Sequence, residues 1–415
     1  MLRICYFLIG LSAWLVVCAI YAEAGYFVDR IPESYAIYCQ IDFAVQLGNV
    51  APLLLVLLFP HWIEHNCCTI VYTILVLSLI TSFGLSTLWN ITLENRSVVI
   101  LGGSFLAGVV GATSMATLFA IARRDARSQV SIKWLSTGLG CSGLVANLLA
   151  LAQGLALQRA RLIFSTQTYF VTIGTVQCIA LAASKAIVRS LSASANTKQL
   201  PLRIDELNTR SEESEAGEAI ESEDLSLLPC GTRVECHDSL CWTSKLAKLR
   251  RHALPLVAIF ATNFLQFGAP GLLPFLLPGT ERNSRPCLFW LNAGFQCSDV
   301  VGRLATSLST SCTSSSRRGK QLLTFLSVAH AIPFVYMVCV AHIGGQGGHI
   351  PSIYVSLVFV VAFSFCHGYI STVSFQSLAE DHAVTIWGGL LNQFGALFGS
   401  VLTFILVNTH VIKKA

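Results

Sequence analysis

Charge is what this sequence has least of. Only 12% of its 415 residues are Asp, Glu, Lys or Arg, against 54% that are hydrophobic. A soluble chain of that length would have too little polar surface to cover its core, which excludes that class. Nothing in it resembles a nucleic-acid-binding domain, and with a net charge of only +5 no nucleic-acid partner is expected. Walker-type glycine loops and nucleophile–base sets at a recognisable spacing are missing too, so catalysis is not expected. The 15 cysteines lie mostly in apolar runs, where a thiol serves as a small buried hydrophobe. Cys230, Cys236, His237 and Cys241 cluster in a polar stretch but lack paired Cys-x-x-Cys spacing, so neither a metal nor another cofactor is expected.

Long apolar runs are what the chain does have. A bilayer-spanning helix needs roughly 20 such residues, and runs of that length fall at 4–25, 36–59, 68–88, 98–121, 132–157, 163–187, 253–277, 287–309, 321–344, 350–376 and 384–409. Each is expected to be helical, because a lone segment in lipid can satisfy its backbone only that way. The fold class is therefore an all-α membrane protein with about 11 transmembrane helices in a 6+5 arrangement. Its domains are a six-helix bundle over 1–187, a polar loop over 188–252 and a five-helix bundle over 253–415. The first run follows Arg3 and precedes Ala22-Glu23-Ala24, a signal-peptide-like pattern. It exceeds the usual 7–15 apolar residues of a signal core, so it reads as the first span.

The connecting loops orient the chain. Arg123, Arg124, Arg127 and Lys133 share one side with Lys185, Arg189, Lys245, Lys248, Arg250 and Arg251, and with Arg317, Arg318 and Lys320. The positive-inside rule makes that side cytoplasmic, so the N-terminus is inside and the C-terminus outside. Arg159, Arg161, Lys413 and Lys414 run against the rule. The two glycosylation sequons, at Asn90 and Asn95, lie in a loop this topology puts outside. In the polar loop, acidic residues from Asp205 to Asp224 interleave with serines, a composition expected to stay disordered.

Polar residues within spans are costly and tend to face a cavity or another helix. Glu23 lies in the first span, Gln46 and Asn49 on one face of the second, and Asn147 and Gln153 in the fifth, beside Gly138, Gly140 and Gly143. The seventh carries Asn263 and Gln266 before Pro270 and Pro274, and prolines of this kind kink a helix and free its carbonyls. In the eighth, Asn292, Gln296, Asp299 and Arg303 form one stripe, and Asp299 precedes Arg303 by four residues, the spacing of an intrahelical ion pair. That pair is either a structural stitch or part of a gate. The eleventh places Asn392 and Gln393 among Gly388, Gly389, Gly395 and Gly399. Many amides and few charges suit a neutral, hydrogen-bonding small heterocycle, with the lipid bilayer as the other partner.

Several patches resemble the eukaryotic riboflavin transporter family. They are Ser12-Ala13-Trp14, Glu23, Pro32-Glu33, Leu47-Gly48-Asn49, Gly138-Leu139-Gly140, the run Leu149 to Gly154, and Gly389, Gln393, Gly395, Leu397 and Gly399. The resemblance implies uptake of riboflavin at the plasma membrane without ATP hydrolysis. It carries family importance onto Glu23 and Asn49, and beside them Gln153 and Gln393. Two features depart from the family: the run Gly344 to His349 has no Cys for a disulfide, and Ser371 stands where a Lys is expected. Asp299-Val300-Val301-Gly302-Arg303 is similar to a motif of equilibrative nucleoside transporters, which implies a nucleoside-transporter-like or major-facilitator-like fold. A nucleoside carrier is thus the alternative function, and a non-transporting receptor or scaffold the second. No oligomeric state is implied.

Overall fold

A computed structural model describes residues 2–125, 128–157, 162–212, 249–277, 284–308, 317–345, 351–378, 382–409 and 411–412. The Cys230–Cys241 cluster, most of the acidic tract, and Arg127, Arg159, Arg161, Lys245, Lys248, Lys413 and Lys414 lie outside these residues. Eleven α-helices occur among the described residues: α1 (Leu2–Phe27), α2 (Ile37–Leu58), α3 (Pro60–Leu88), α4 (Val98–Arg124), α5 (Ser128–Gln153), α6 (Thr166–Glu212), α7 (Ala253–Gly268), α8 (Ser284–Leu308), α9 (Arg317–Gly345), α10 (Ile353–Leu378) and α11 (His382–Asn408). Each overlaps one expected span. Helix α6 continues past its apolar part to Glu212, into the segment read as loop.

Among the described residues, eight helices are long and apolar enough to cross a membrane, and a bent pair makes a ninth candidate. The bent pair is α7 with the 3-10 segment Pro270–Leu276, which meet at 44°. Pro270 opens that segment and Pro274 lies within it. A proline has no N–H for the helical ladder, so the α-helix ends ahead of the first one. Helices α2 and α8 are not among the nine, and α8 is the one diluted by the polar stripe.

The burial pattern is that of a protein in lipid. On α9, Phe325, Val328, Ile332 and Val335 form one stripe, each more than half exposed, while His330 and Met337 on the opposite face are fully buried. Apolar side chains face outward and the polar ones inward, as a bilayer solvent requires. The chain is a multi-pass membrane protein.

Helix packing follows the glycines. The first six helices pack chiefly on one another, α1 on α5 and α2 on α4 most extensively, and the last five likewise, with α7 on α11 and α8 on α10. Advancing each helix number by six carries the first two pairs onto the second two. In three of them the contact is reciprocal. A Cβ on Gly10 would overlap the carbonyl of Leu135 while one on Gly138 would overlap that of Phe7; Gly48 and Gly108 stand in the same relation to Phe105 and Val45, and Gly302 and Gly368 to Phe365 and Asp299. In the fourth pair both glycines come from α11, Gly395 against Phe260 and Gly399 against Phe264. Small residues that let backbones touch are the usual basis of helix association in lipid, where no hydrophobic force draws helices together.

Candidate functional site

The two halves meet toward the end of the molecule where α1 leads into α2. There Phe43 of α2 stacks on Phe404 of α11, with ring centroids 4.5 Å apart. Gly271 is wedged against Cys39 and Thr403, and Gly25 of α1 faces Leu288 of α8. Thr403 Oγ1 donates to the carbonyl of Gly268 at 2.7 Å, where α7 ends. At the opposite end a cavity of about 620 Å³ opens, lined by Arg3 of α1 and by Val130, Lys133, Trp134 and Thr137 of α5.

Between these ends lie the polar side chains, in separate groups. The most extensive spans α7, α8 and α10. Arg303 Nε donates to Asp299 Oδ2 at 2.8 Å, the ion pair expected from the four-residue spacing. The other carboxylate oxygen, Oδ1, sits 2.7 Å from His367 Nδ1. His367 Nε2 lies 3.4 Å from Asn263 Oδ1, and Asn263 is oriented by the bond from its Nδ2 to the carbonyl of Ile259. A neutral imidazole donates from one nitrogen only, and the shorter contact makes Asp299 the principal acceptor. Next to it, Gln266 Nε2 donates to Ser364 Oγ at 3.2 Å, and Ser364 donates to the carbonyl of Phe295. His330 stacks on Phe363 at 4.2 Å and lies 3.3 Å from the hydroxyl of Thr262.

A second group joins the halves: Asn147 of α5 donates to Gln296 of α8 at 3.1 Å, and Gln296 donates to Asn292 at 3.1 Å. The expected stripe on α8 is thus divided. Gln296 reaches across to α5 and holds Asn292, while Asp299 turns to α10 and holds Arg303.

The remaining groups belong to the first half. Asn49 Nδ2 donates to Gln46 Oε1 at 2.8 Å, as their shared face suggested. Glu23 is completely buried, and its Oε2 accepts a 2.9 Å bond from Thr166 of α6. Gln153 lies against the same carboxylate without a well-directed hydrogen bond. Both of these partners of Glu23 belong to its own half. A further buried carboxylate, Asp42, accepts from the Tyr21 hydroxyl at 2.6 Å. Gln393 on α11 is half-buried and stands apart from these groups. Ser371, at the position where a Lys was expected, is buried.

Sequence reasoning passed over His367, His330, Thr262, Ser364 and Asp42. His367 carried a usable signal, a titratable residue mid-span beside Gly368. Its partner Asp299 is 68 residues away, and spacing along one helix cannot reveal that pairing.

The α1–α2 and α3–α4 connections are tied by Glu33, whose carboxylate accepts from both the backbone N–H and the hydroxyl of Ser97, at 2.5 and 2.7 Å. Ser97 is the last residue of the second sequon. Asn90 and Asn95 are both exposed in that loop.

Comparison with known proteins covers nearly the whole chain. Residues 1–414 match the model of the family described as solute carrier family 52, riboflavin transporter. The chain is 22% identical over 450 residues to riboflavin transporter member 3-B from Danio rerio, covering 97% of this chain and 95% of that one. To member 3 from Homo sapiens it is 30% identical over 163 residues, 37% of this chain and 33% of the relative. Among solved structures it resembles the nucleoside transporter NupG, with a TM-score of 0.58 at 10% identity, covering 98% of this chain and 90% of that one. The peptide transporter POT gives 0.56 at 9% identity, covering 99% and 90%. At such identities the two structures speak for the fold alone.

Proposed function

This chain belongs to solute carrier family 52, the riboflavin transporters, and we propose that it takes up riboflavin across the plasma membrane by alternating access. The family match over residues 1–414 is the observation that carries this reading. In it all eleven helices cross the bilayer, six before the 188–252 loop and five after. The N-terminus and that loop are cytoplasmic and the C-terminus is extracellular.

On this topology the end where Phe43 meets Phe404 faces outward, and the cavity beside Arg3 and Lys133 faces the cytoplasm. Rocking the halves about the amides between α5 and α8 exposes those amides to the other side, as in carriers built of paired repeats. Substrate is held between the halves by Asn263, Gln266, Asn292 and Gln296, with Asp299, paired to Arg303, fixing α8 to α10. Glu23, Gln46, Asn49, Gln153 and Gln393 complete the proposed set. Glu23 acts there from the wall formed by α1, held by Thr166.

Uptake of labelled riboflavin by cells expressing the chain tests the reading, with labelled uridine as the comparison. Riboflavin uptake saturable over background is expected; uridine uptake alone would move the assignment to a nucleoside carrier. Glu23→Gln keeps an acceptor for Thr166 but replaces the carboxyl group with an amide. It is expected to lower uptake about tenfold at unchanged surface abundance, the loss of about 1.4 kcal/mol. Uptake equal to wild type removes Glu23 from the site.

The orientation has its own test. Asn90 and Asn95 are on the extracellular side in this topology, so glycosidase treatment should raise the electrophoretic mobility of the wild type and leave an Asn90→Gln, Asn95→Gln double variant unmoved. Absence of any shift in the wild type counts against the orientation.

A further inference from the structure

Three amides bridge α5 and α8, and one backbone carbonyl sets the direction of every hydrogen bond along them. The carbonyl of Gly143 can only accept, so the nitrogen of Asn147 faces it, at 2.8 Å. The second hydrogen of that nitrogen goes to Gln296 Oε1. Gln296 Nε2 is then the atom that donates to Asn292 Oδ1. Amide orientation is often ambiguous, but a fixed acceptor at the end of the string resolves all three. Two atoms are left over: Asn147 Oδ1, which can accept, and Asn292 Nδ2, which can donate. Both are buried without a protein partner, a condition that is strongly disfavoured. Asn147 and Asn292 are themselves almost wholly buried, at 3% and 2% exposure.

We infer that Asn147 and Asn292 read the imide edge of a ring, an N–H beside a C=O, with Gln296 as the positioning residue between them. The inference rests on the riboflavin reading above and narrows it to one edge of the molecule. The pyrimidine ring of a flavin carries N3–H between two carbonyls. N3–H donates to Asn147 Oδ1, and a neighbouring carbonyl accepts from Asn292 Nδ2. The two atoms are shut from solvent in this structure, so the ring engages them as the halves rock about the α5–α8 seam, with the Asn147–Gln296 bond kept as the pivot. The close approach of α5 to α8 depends on Gly143, where a Cβ would come within 3.0 Å of Gln296 Oε1.

Binding of riboflavin and of 3-methylriboflavin to the purified full-length chain in lipid nanodiscs tests this. A methyl group on N3 removes the donor and sets carbon against Asn147 Oδ1. Wild type is expected to bind riboflavin at least about 100-fold more tightly, since a site built for an N–H rejects analogues lacking it. In Asn147→Ala that preference should fall below about fivefold. The ratio is taken within one sample, so a smaller folded fraction does not alter it. Asn292→Asp keeps the acceptor for Gln296 but loses the donor, and should weaken riboflavin binding about tenfold while the preference stays. Equal binding of the two flavins by wild type, or a preference that survives intact in Asn147→Ala, overturns the inference. So does undiminished riboflavin binding in Asn292→Asp. If wild type binds neither flavin while remaining monodisperse, the riboflavin reading falls and this inference with it.

Discussion

Asp299→Ala should reduce riboflavin uptake about thirtyfold and lower the stability of the solubilised protein by about 2 kcal/mol. The carboxylate meets Arg303 with one oxygen and His367 with the other, at 2.8 and 2.7 Å. It is held there because α8 and α10 touch at Gly302, three residues after Asp299, and at Gly368, next to His367. Removing one partner of a buried ion pair costs about 3–5 kcal/mol. Here the Arg303 side chain keeps 35% of its exposure and Asp299 20%, so water recovers part of the loss and about 2 kcal/mol remains. If that shift falls on the balance between the two states of the carrier, it changes their populations about thirtyfold. Uptake in cells, normalised to surface abundance, reads the first effect, and thermal unfolding in detergent reads the second.

Exchanging the charges separates the two meanings of this pair. In Asp299→Arg with Arg303→Asp, the intrahelical attraction survives, although in the less favourable order along the helix. His367 then faces a guanidinium instead of an acceptor. A stitch confined to α8 predicts near-complete recovery, whereas the contact with His367 predicts that the exchanged protein stays close to Asp299→Ala. A double-mutant cycle between Asp299→Ala and His367→Ala should give a coupling of about 1 kcal/mol or more across α8 and α10. Additive effects would return the pair to α8 alone.

The comparison of Asp299 with His367 shows where sequence reading stops. Much of what a single helix determines was legible: the positions of the eleven helices, the break at Pro270, the shared face of Gln46 and Asn49, and the ion pair four residues apart. Each depends on neighbours within a turn or on a run of apolar residues. What joins helices was not legible. Gln296 and Asn147 are 149 residues apart, and their contact exists only because α5 and α8 lie together. The stripe on α8 was seen, but its division between α5 and α10 depends on which helix each turn faces. For α8, polar residues that belong to the interior also blunt the signal that marks a membrane span. The length of α6 escaped for the opposite reason: past Arg189 the chain turns polar, and an apolar-run criterion ends there although the helix does not.

The glycines in the helix crossings carry the other large effect. Gly138→Leu should leave almost no folded protein at the cell surface, while Gly102→Leu should leave it near the wild-type level. Both lie within helices and both substitutions add the same side chain. A Cβ at Gly138, however, would overlap the carbonyl oxygen of Phe7 on α1, whereas at Gly102 nothing lies within 4 Å. A backbone carbonyl cannot rotate away as a side chain can, so α1 and α5 must separate along their crossing. Overpacking of this kind costs about 1–3 kcal/mol where side chains can adjust, and more where only a whole helix can move. The loss extends to the reciprocal contact of Gly10 with Leu135, which the same displacement opens. A helix pair in lipid has little besides such contact to hold it. By the relation between the halves, Gly399→Leu on α11 should behave like Gly138→Leu, since its Cβ would overlap the carbonyl of Phe264. Gly389→Leu should behave like Gly102→Leu, with nothing within 4 Å to displace. Surface biotinylation of the four variants checks the set. A Gly138→Leu protein that reaches the surface in normal amount would mean that the close α1–α5 crossing is not what holds the first half together.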